Sequence, residues 1–255
     1  PVTAGAISRF DAPAEIAEAV KSGARPVLVG LDVDGVLAPI VDHDDDARLL
    51  DGMSAAIDAV AACPGWHVAV VSGRAVGDLG RFAFSAGVTV IGSHGMELRG
   101  ETMPPLDGDE HRRLHQLGAL ADDAAAQAGV GAWVEHKPGS VVVHVRRAEP
   151  TRGRDALDAL ATAAGAIDGA TVKAGSGVLE LFARAASKGT AIVALAEHLG
   201  VATTVFVGDD VTDEDAFAAL GPGDVAVKVG PAPTIAPWRL ADPPAVLAWL
   251  RLLAE

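Results

Sequence analysis

Four short segments of this 255-residue chain carry side chains whose types and spacing suit work on an anion. The first is Leu31-Asp32-Val33-Asp34-Gly35, where two carboxylates two residues apart follow an apolar run. On an extended chain they share one side, and a nearby cation would relieve their mutual repulsion. Gly35 allows a sharp turn and leaves backbone N–H groups free to face an anion. The alternative is a plain acidic strand-to-helix loop. Val71-Ser72-Gly73-Arg74 adds a small hydroxyl and a cation after a second apolar run. Gly208-Asp209-Asp210, with Asp213 one helical turn on, supplies the oxygen donors that a hard divalent cation prefers. Ser187-Lys188-Gly189 opens a helical stretch, where the helix dipole disfavours a cation. The chain has only five lysines, at 21, 137, 173, 188 and 228, so this placement calls for an anionic partner.

These segments need elements to hold them. Pro26–Leu31, His67–Val71, Val88–Ile91, Thr203–Val207 and Asp224–Val229 are apolar without alternation, as expected of parallel strands covered on both faces. Between them the spacing predicts helices over Asp46–Ala62, Val76–Ala86 and Lys188–Leu199, a short one from Thr212, and a closing one over Pro244–Leu253. Strands alternating with helices imply a doubly wound parallel sheet. The middle reads differently, as helix Asp107–Ala128, strands 132–135 and 140–146, helix Arg154–Ala164, and strands 171–173 and 178–182. Short turns with Gly mark those strand pairs as antiparallel hairpins. The expected fold is therefore an α/β, Rossmann-like core, residues 1–103 and 183–255, interrupted by an α+β cap over 104–182, with hinges at Pro104-Pro105 and Ala185-Ala186-Ser187. No internal repeat is present.

Half the residues are apolar and 21 % are charged, which excludes disordered, collagen-like and coiled-coil chains. The net charge of −14 repels phosphate backbones and anionic lipid, so neither nucleic acid nor a membrane surface is an expected partner. No segment reaches the ~18 apolar residues of a membrane helix. Pro1–Asp11 lacks the pattern of a secretion signal, and Cys63 stands alone, so a cytoplasmic monomer is expected.

The four motifs, in this order at successive strand ends, resemble those of the haloacid dehalogenase-like phosphatases over the whole core. The resemblance implies that Asp32 is the nucleophile taking the phosphoryl group and that Asp34 is the general acid and base. It makes Asp32, the Asp34 carbonyl and Asp209 ligands of Mg²⁺, with Asp210 and Asp213 supporting. Ser72, Gly73 and Lys188 would hold the phosphoryl oxygens. Closure of the cap over the ligand is expected to exclude water.

The middle of the chain narrows the resemblance. Gly92-Ser93-His94-Gly95-Met96-Glu97, Glu135-His136-Lys137, His144 and Glu180 together look like the trehalose-6-phosphate phosphatase family. The substrate so implied is a small phosphorylated disaccharide, with Glu135, Lys137 and Glu180 on the distal glucose, His144 near them, and Arg74, His94 and Glu97 bordering the cleft. Charged hydrogen-bonding groups suit a hydroxyl-rich sugar. The chain departs from that family at Gly175-Ser176-Gly177 and Phe182-Ala183, and Arg184 or Lys173 could compensate. Sucrose phosphate and a glycosyl-glycerate phosphate remain alternative substrates.

Blander readings exist for several residues. Glu135 and Lys137 could be a surface pair, His144 could support a neighbour instead of touching sugar, and Arg74 could be a surface residue. His111 and His115 stand four apart on a helix, yet no His-Glu-x-x-His pattern accompanies them, so a solvated face is expected. Asp42, Asp44, Asp45 and Asp46 lack the glycine of a calcium loop and read as loop solvation. A signalling receiver would use similar groups, but it is shorter and uncapped. A catalytically dead sensor would not retain the set Asp32, Asp34, Lys188 and Asp209.

Overall fold

The computed structural model describes residues 9–41, 46–101, 106–184 and 187–255. Asp42, Asp44, Asp45 and the hinges at 104–105 and 185–186 lie outside the described residues. The chain divides into two compact units, 1–103 with 187–255, and 104–186.

In the first unit a seven-stranded sheet runs in the order β11 (Trp238–Leu240), β10 (Val225–Val229), β9 (Thr203–Gly208), β1 (Val27–Leu31), β2 (Trp66–Val71), β3 (Val88–Gly92), β4 (Glu97–Leu98). Every pairing is parallel except β3 with β4. All five residues of β1 are buried, as its unbroken apolar run requires, because successive side chains enter opposite layers. Val27, Val29 and Leu31 join one cluster with Ile16, Ile57, Trp249 and Leu250, from helices α1 (Pro13–Lys21), α2 (Met53–Ala61) and α8 (Pro243–Leu253). Leu28 joins the other with Ile192, Phe206 and Phe217, beside α6 (Lys188–Leu199) and α7 (Glu214–Ala219). The core is thus the expected doubly wound α/β sheet.

Two helices are shorter than their apolar stripes suggest. The stretch expected over 46–62 becomes helical only at Met53, because Gly52 takes φ +85° and Leu50 N–H bonds to Leu37 C=O at 3.0 Å. The helix expected over 76–86 is α3 (Val76–Leu79) plus one tight turn to Phe82, and Ala83 at φ +50° stops it. No helix among the described residues is long and apolar enough to cross a membrane.

The second unit is a four-stranded sheet in the order β5 (Trp133–His136), β6 (Ser140–His144), β8 (Val178–Phe182), β7 (Thr171–Gly175), with every pairing antiparallel. Helices α4 (Gly108–Ala128) and α5 (Pro150–Gly165) cover one face, where Leu117, Ala121 and Leu160 pack on Val141, Val143, Leu179 and Leu181. Asp107 caps α4 by accepting from the Asp109 and Glu110 amides at 2.8 Å, and Glu110 accepts in return from the Asp107 amide at 2.9 Å. Ala183 and Arg184, expected with the core, fall in this unit: Ala183 N–H bonds to Gly139 C=O at 3.0 Å and the Arg184 guanidinium pairs with Glu110.

Candidate active site

Strands β1 and β9 are neighbours from which the chain order runs outward in opposite directions, the switch point where open α/β sheets gather ligands. Asp32 follows β1, and its N–H bonds to Val207 C=O at 3.0 Å, so it stays tied to β9. Asp209 follows β9 and reaches across to the turn at Gly35. There φ is +74°, and a Cβ on residue 35 would stand 2.0 Å from Asp209 Oδ2. Glycine is required at 35 both for the backbone and for that carboxylate.

Lys188 begins α6, whose N-cap Ser187 accepts from the Thr190 amide at 3.0 Å. Its ammonium is 2.9 Å from Asp32 Oδ1 and 2.8 Å from Asp213 Oδ1. Asp32, Lys188 and Asp213 are all buried. The sequence reading invoked a bound anion to explain a lysine at a helix start; two carboxylates of the protein already supply that partner. The other Asp213 oxygen accepts from the Asp209 and Asp210 amides at 2.9 Å each. Asp213 therefore locks the turn after β9 to Lys188, and both of its oxygens are engaged.

Asp32, Asp209 and Asp213 each offer an oxygen within 4.8 Å of the others, the only such group of three among the described residues. Three carboxylates face one ammonium there. Burial pushes the Asp32 carboxyl well above its ordinary range; Lys188 pulls it back, while Asp213 and Asp209 push it further. Burial, then repulsion from Asp213, pushes Asp209 up to about 7. Burial also opposes the Lys188 charge, but Asp213 and Asp32 outweigh it and hold the ammonium above its usual range. A surplus of crowded, partly desolvated carboxylate oxygens is a donor set that fits a hard divalent cation such as Mg²⁺.

Asp34 stands apart from this cluster. Arg74 grips it at both oxygens, Nε–Oδ2 and Nη2–Oδ1 each 2.7 Å, in the fork geometry of a strong charge-assisted pair. Arg74, read from sequence as a cleft-bordering or surface residue, is mostly buried and holds Asp34. The Ser72 hydroxyl accepts from the Arg74 amide at 3.2 Å, so its own proton is free to donate elsewhere. Ser93 and His94 both take positive φ, an arrangement uncommon outside glycine. His94 N–H bonds to Ser72 C=O at 2.9 Å, and its ring crowds Gly73, where a Cβ would stand 2.7 Å from Nε2. Glu97, expected beside the ligand, instead accepts from the Ser93 hydroxyl and from the Val76 amide at 3.0 Å, so it holds this loop. Asp210, expected to support the metal, is exposed and does not join the carboxylate cluster.

In the second unit the register places Glu135, Val142, Glu180 and Lys173 side by side. Their face is the one opposite α4 and α5, as period-two alternation with Val141 and Val143 demands. Glu180 Oε1 receives the Lys137 ammonium at 3.2 Å and the Ser140 hydroxyl at 2.7 Å. Lys137 thus pairs with Glu180 instead of Glu135. Glu135 Oε2 lies 3.1 Å from His144 Nε2, giving His144 the supporting position. Trp133, which the sequence reading passed over, stacks on His144; its signal was the two-residue step to Glu135. Arg184 pairs with Glu110. His111 and His115 are exposed and, with Asp122 and His136, line an open cavity of about 430 Å³ on α4 and β5.

The family model for trehalose-phosphatase matches residues 30–244, which include both strand-end clusters and the whole second unit. The chain belongs to the trehalose-phosphatase family. The trehalose-phosphate phosphatase of Mycobacterium ulcerans is 36% identical over 252 residues, which cover 91% of this chain and 62% of that protein. The trehalose-6-phosphate phosphatase of Escherichia coli is 33% identical over 232 residues, or 87% and 84% of the two chains. The chain spans about three-fifths of the length of the mycobacterial relative. Among solved structures, the C-terminal domain of Candida albicans trehalose-6-phosphate phosphatase superposes with a TM-score of 0.82 at 22% identity, covering 98% of this chain and 99% of that one. A haloacid dehalogenase-like hydrolase from B. subtilis gives 0.64 at 18% identity, covering 88% and 98%. At the level of fold, the expected likeness to the haloacid dehalogenase group holds.

Proposed function

We propose that this family member is a Mg²⁺-dependent phosphatase of trehalose 6-phosphate. The observation that carries the reading is the convergence of Asp32, Lys188 and Asp209 at the switch point, with Asp34 held two residues from Asp32 by Arg74. Asp32 attacks phosphorus with a carboxylate oxygen while the bond to the sugar oxygen breaks, and Asp34, once Arg74 releases one of its two oxygens and that oxygen is protonated, gives the leaving oxygen its proton. Asp34 then takes a proton from water as the water attacks the aspartyl phosphate, releasing inorganic phosphate and restoring Asp32. Lys188 and the Ser72 hydroxyl face the phosphoryl oxygens, and Arg74 keeps the Asp34 carboxylate oriented. Asp32, Asp209 and the Asp34 carbonyl would hold Mg²⁺, and Asp213 positions Asp209 and Lys188. The ion supplies positive charge against the oxygens of the transferring group. In the second unit, Glu135 and the Lys137–Glu180 pair are suited to grip sugar hydroxyls.

Phosphate release from a panel of sugar phosphates tests this. Trehalose 6-phosphate is expected to exceed glucose 6-phosphate and sucrose 6-phosphate by at least about tenfold in kcat/KM, because the wrong sugar leaves charged groups unpaired. Equal rates would remove the specific substrate.

The crowded carboxylates predict how metal and pH act together. Asp32 and Asp209 bind protons more tightly folded than unfolded, so their contribution to stability is full below about pH 4 and is lost as pH rises through each raised pKa, about 7 for Asp209. Mg²⁺ should therefore raise the Tm by several degrees at pH 8 and by much less at pH 5, where protons compete for the same oxygens. Thermal unfolding with Mg²⁺ against EDTA reads this directly; no shift at pH 8 would sink the metal assignment.

A further inference from the structure

One residue on the polar face of the second sheet lies outside the sugar-contact set given above. Trp133 is 50% exposed, yet it shares that face with Glu135 and is not on the apolar side under α4 and α5. Trp133 and His144 are directly opposed across the β5–β6 pair. Their rings lie parallel, with centroids 3.8 Å and planes 2° apart. His144 is itself anchored, Nε2 to Glu135 Oε2 at 3.1 Å. One face of the indole is thus fixed against a ring held by a carboxylate, while Trp133 as a whole stays half exposed.

A rigid indole beside carboxylates is suited to a pyranose ring. The sugar's C–H bonds, positive at hydrogen, rest on the negative aromatic face, and its rim hydroxyls meet the charged groups alongside. Because His144 already holds the indole, little ordering is left for binding to impose. Along the strand, Trp133 to Lys137 spans roughly 13 Å, room for more than one sugar ring. The geometry points to Trp133 as the stacking platform for the distal glucose of the phosphosugar, with His144 as the residue that positions it. This rests on the phosphosugar reading above and adds to it a residue that acts on sugar affinity and not on phosphoryl transfer.

Steady-state kinetics of the full chain with Mg²⁺ test it, using Trp133→Leu, Trp133→Phe and two substrates, trehalose 6-phosphate and the ringless acetyl phosphate. Trp133→Leu is expected to raise KM for trehalose 6-phosphate roughly tenfold, with kcat within about twofold and acetyl phosphate hydrolysis unchanged. Trp133→Phe keeps an aromatic face and should stay within about threefold of the parent. An unchanged KM in Trp133→Leu overturns the platform, and so does an equal loss on acetyl phosphate, which marks a structural role. The underlying reading fails differently: the parent then hydrolyses trehalose 6-phosphate no faster than glucose 6-phosphate. In that case the same comparison on the preferred phosphosugar decides the platform, and if no phosphosugar is hydrolysed both ideas fall.

Discussion

Asp32→Asn is expected to lower phosphosugar turnover at least about a thousandfold while leaving the fold intact. Asparagine keeps the shape of the side chain but removes the attacking oxygen. The neighbours explain why stability should survive. Lys188 still has Asp213 at 2.8 Å, and the amide removes one of three carboxylates crowded within 4.8 Å. Burial already holds the Asp32 carboxyl well above its ordinary range, so its ionised form is the one the folded protein resists. A group raised in this way contributes stability at low pH and loses it as pH climbs. Without metal, the variant should therefore melt no lower than the parent at pH 8, and the difference should narrow towards pH 5. Two measurements separate the outcomes. Retained turnover would remove Asp32 as nucleophile, whereas lost turnover with a Tm depressed by more than about 5 °C would attribute the loss to misfolding.

The acids of this site were readable from sequence because of where they stand. Asp32 and Asp209 each follow a run of residues that can only be a strand buried on both faces, and such strands end at one edge of the sheet. Their partners were less readable. Arg74 reaches Asp34 across forty positions, and nothing local to either residue announces the pair. Asp213 is four residues from Asp209, a spacing that suggested another metal ligand; only the folded turn shows both oxygens engaged by Lys188 and two amides. Glu97 illustrates the same limit, since its type suited a ligand contact while its two oxygens serve Ser93 and Val76. For the fold, α1 was missed although Pro13 at the first turn, Glu15 and the buried spacing of Ile16, Ala17 and Val20 marked it. The helix over 46–62 was read too long because Leu49 continues the apolar stripe, but a left-handed Gly52 outranks periodicity.

Lys188→Met should destabilise the first unit by about 3–5 kcal/mol at pH 8, because it leaves buried carboxylates without their cation. The side chain is 2% exposed, and methionine fills a similar volume, so packing contributes little to the loss. The pH dependence distinguishes charge from shape. With the ammonium gone, Asp32 and Asp213 repel each other and Asp209 unopposed, and Asp32 holds its proton to still higher pH than in the parent. Protonation removes that repulsion, so the deficit should be small near pH 5 and approach its full size by pH 8. Mg²⁺ should restore part of it at pH 8, since a divalent cation replaces the missing positive charge at the same oxygens. Urea unfolding at pH 5, 6, 7 and 8, with and without Mg²⁺, measures all of this. A deficit equal at every pH would mean that Lys188 stabilises by filling space. That outcome would also undercut its assigned task at the phosphoryl group, because that task needs a charged ammonium and not a space-filling chain.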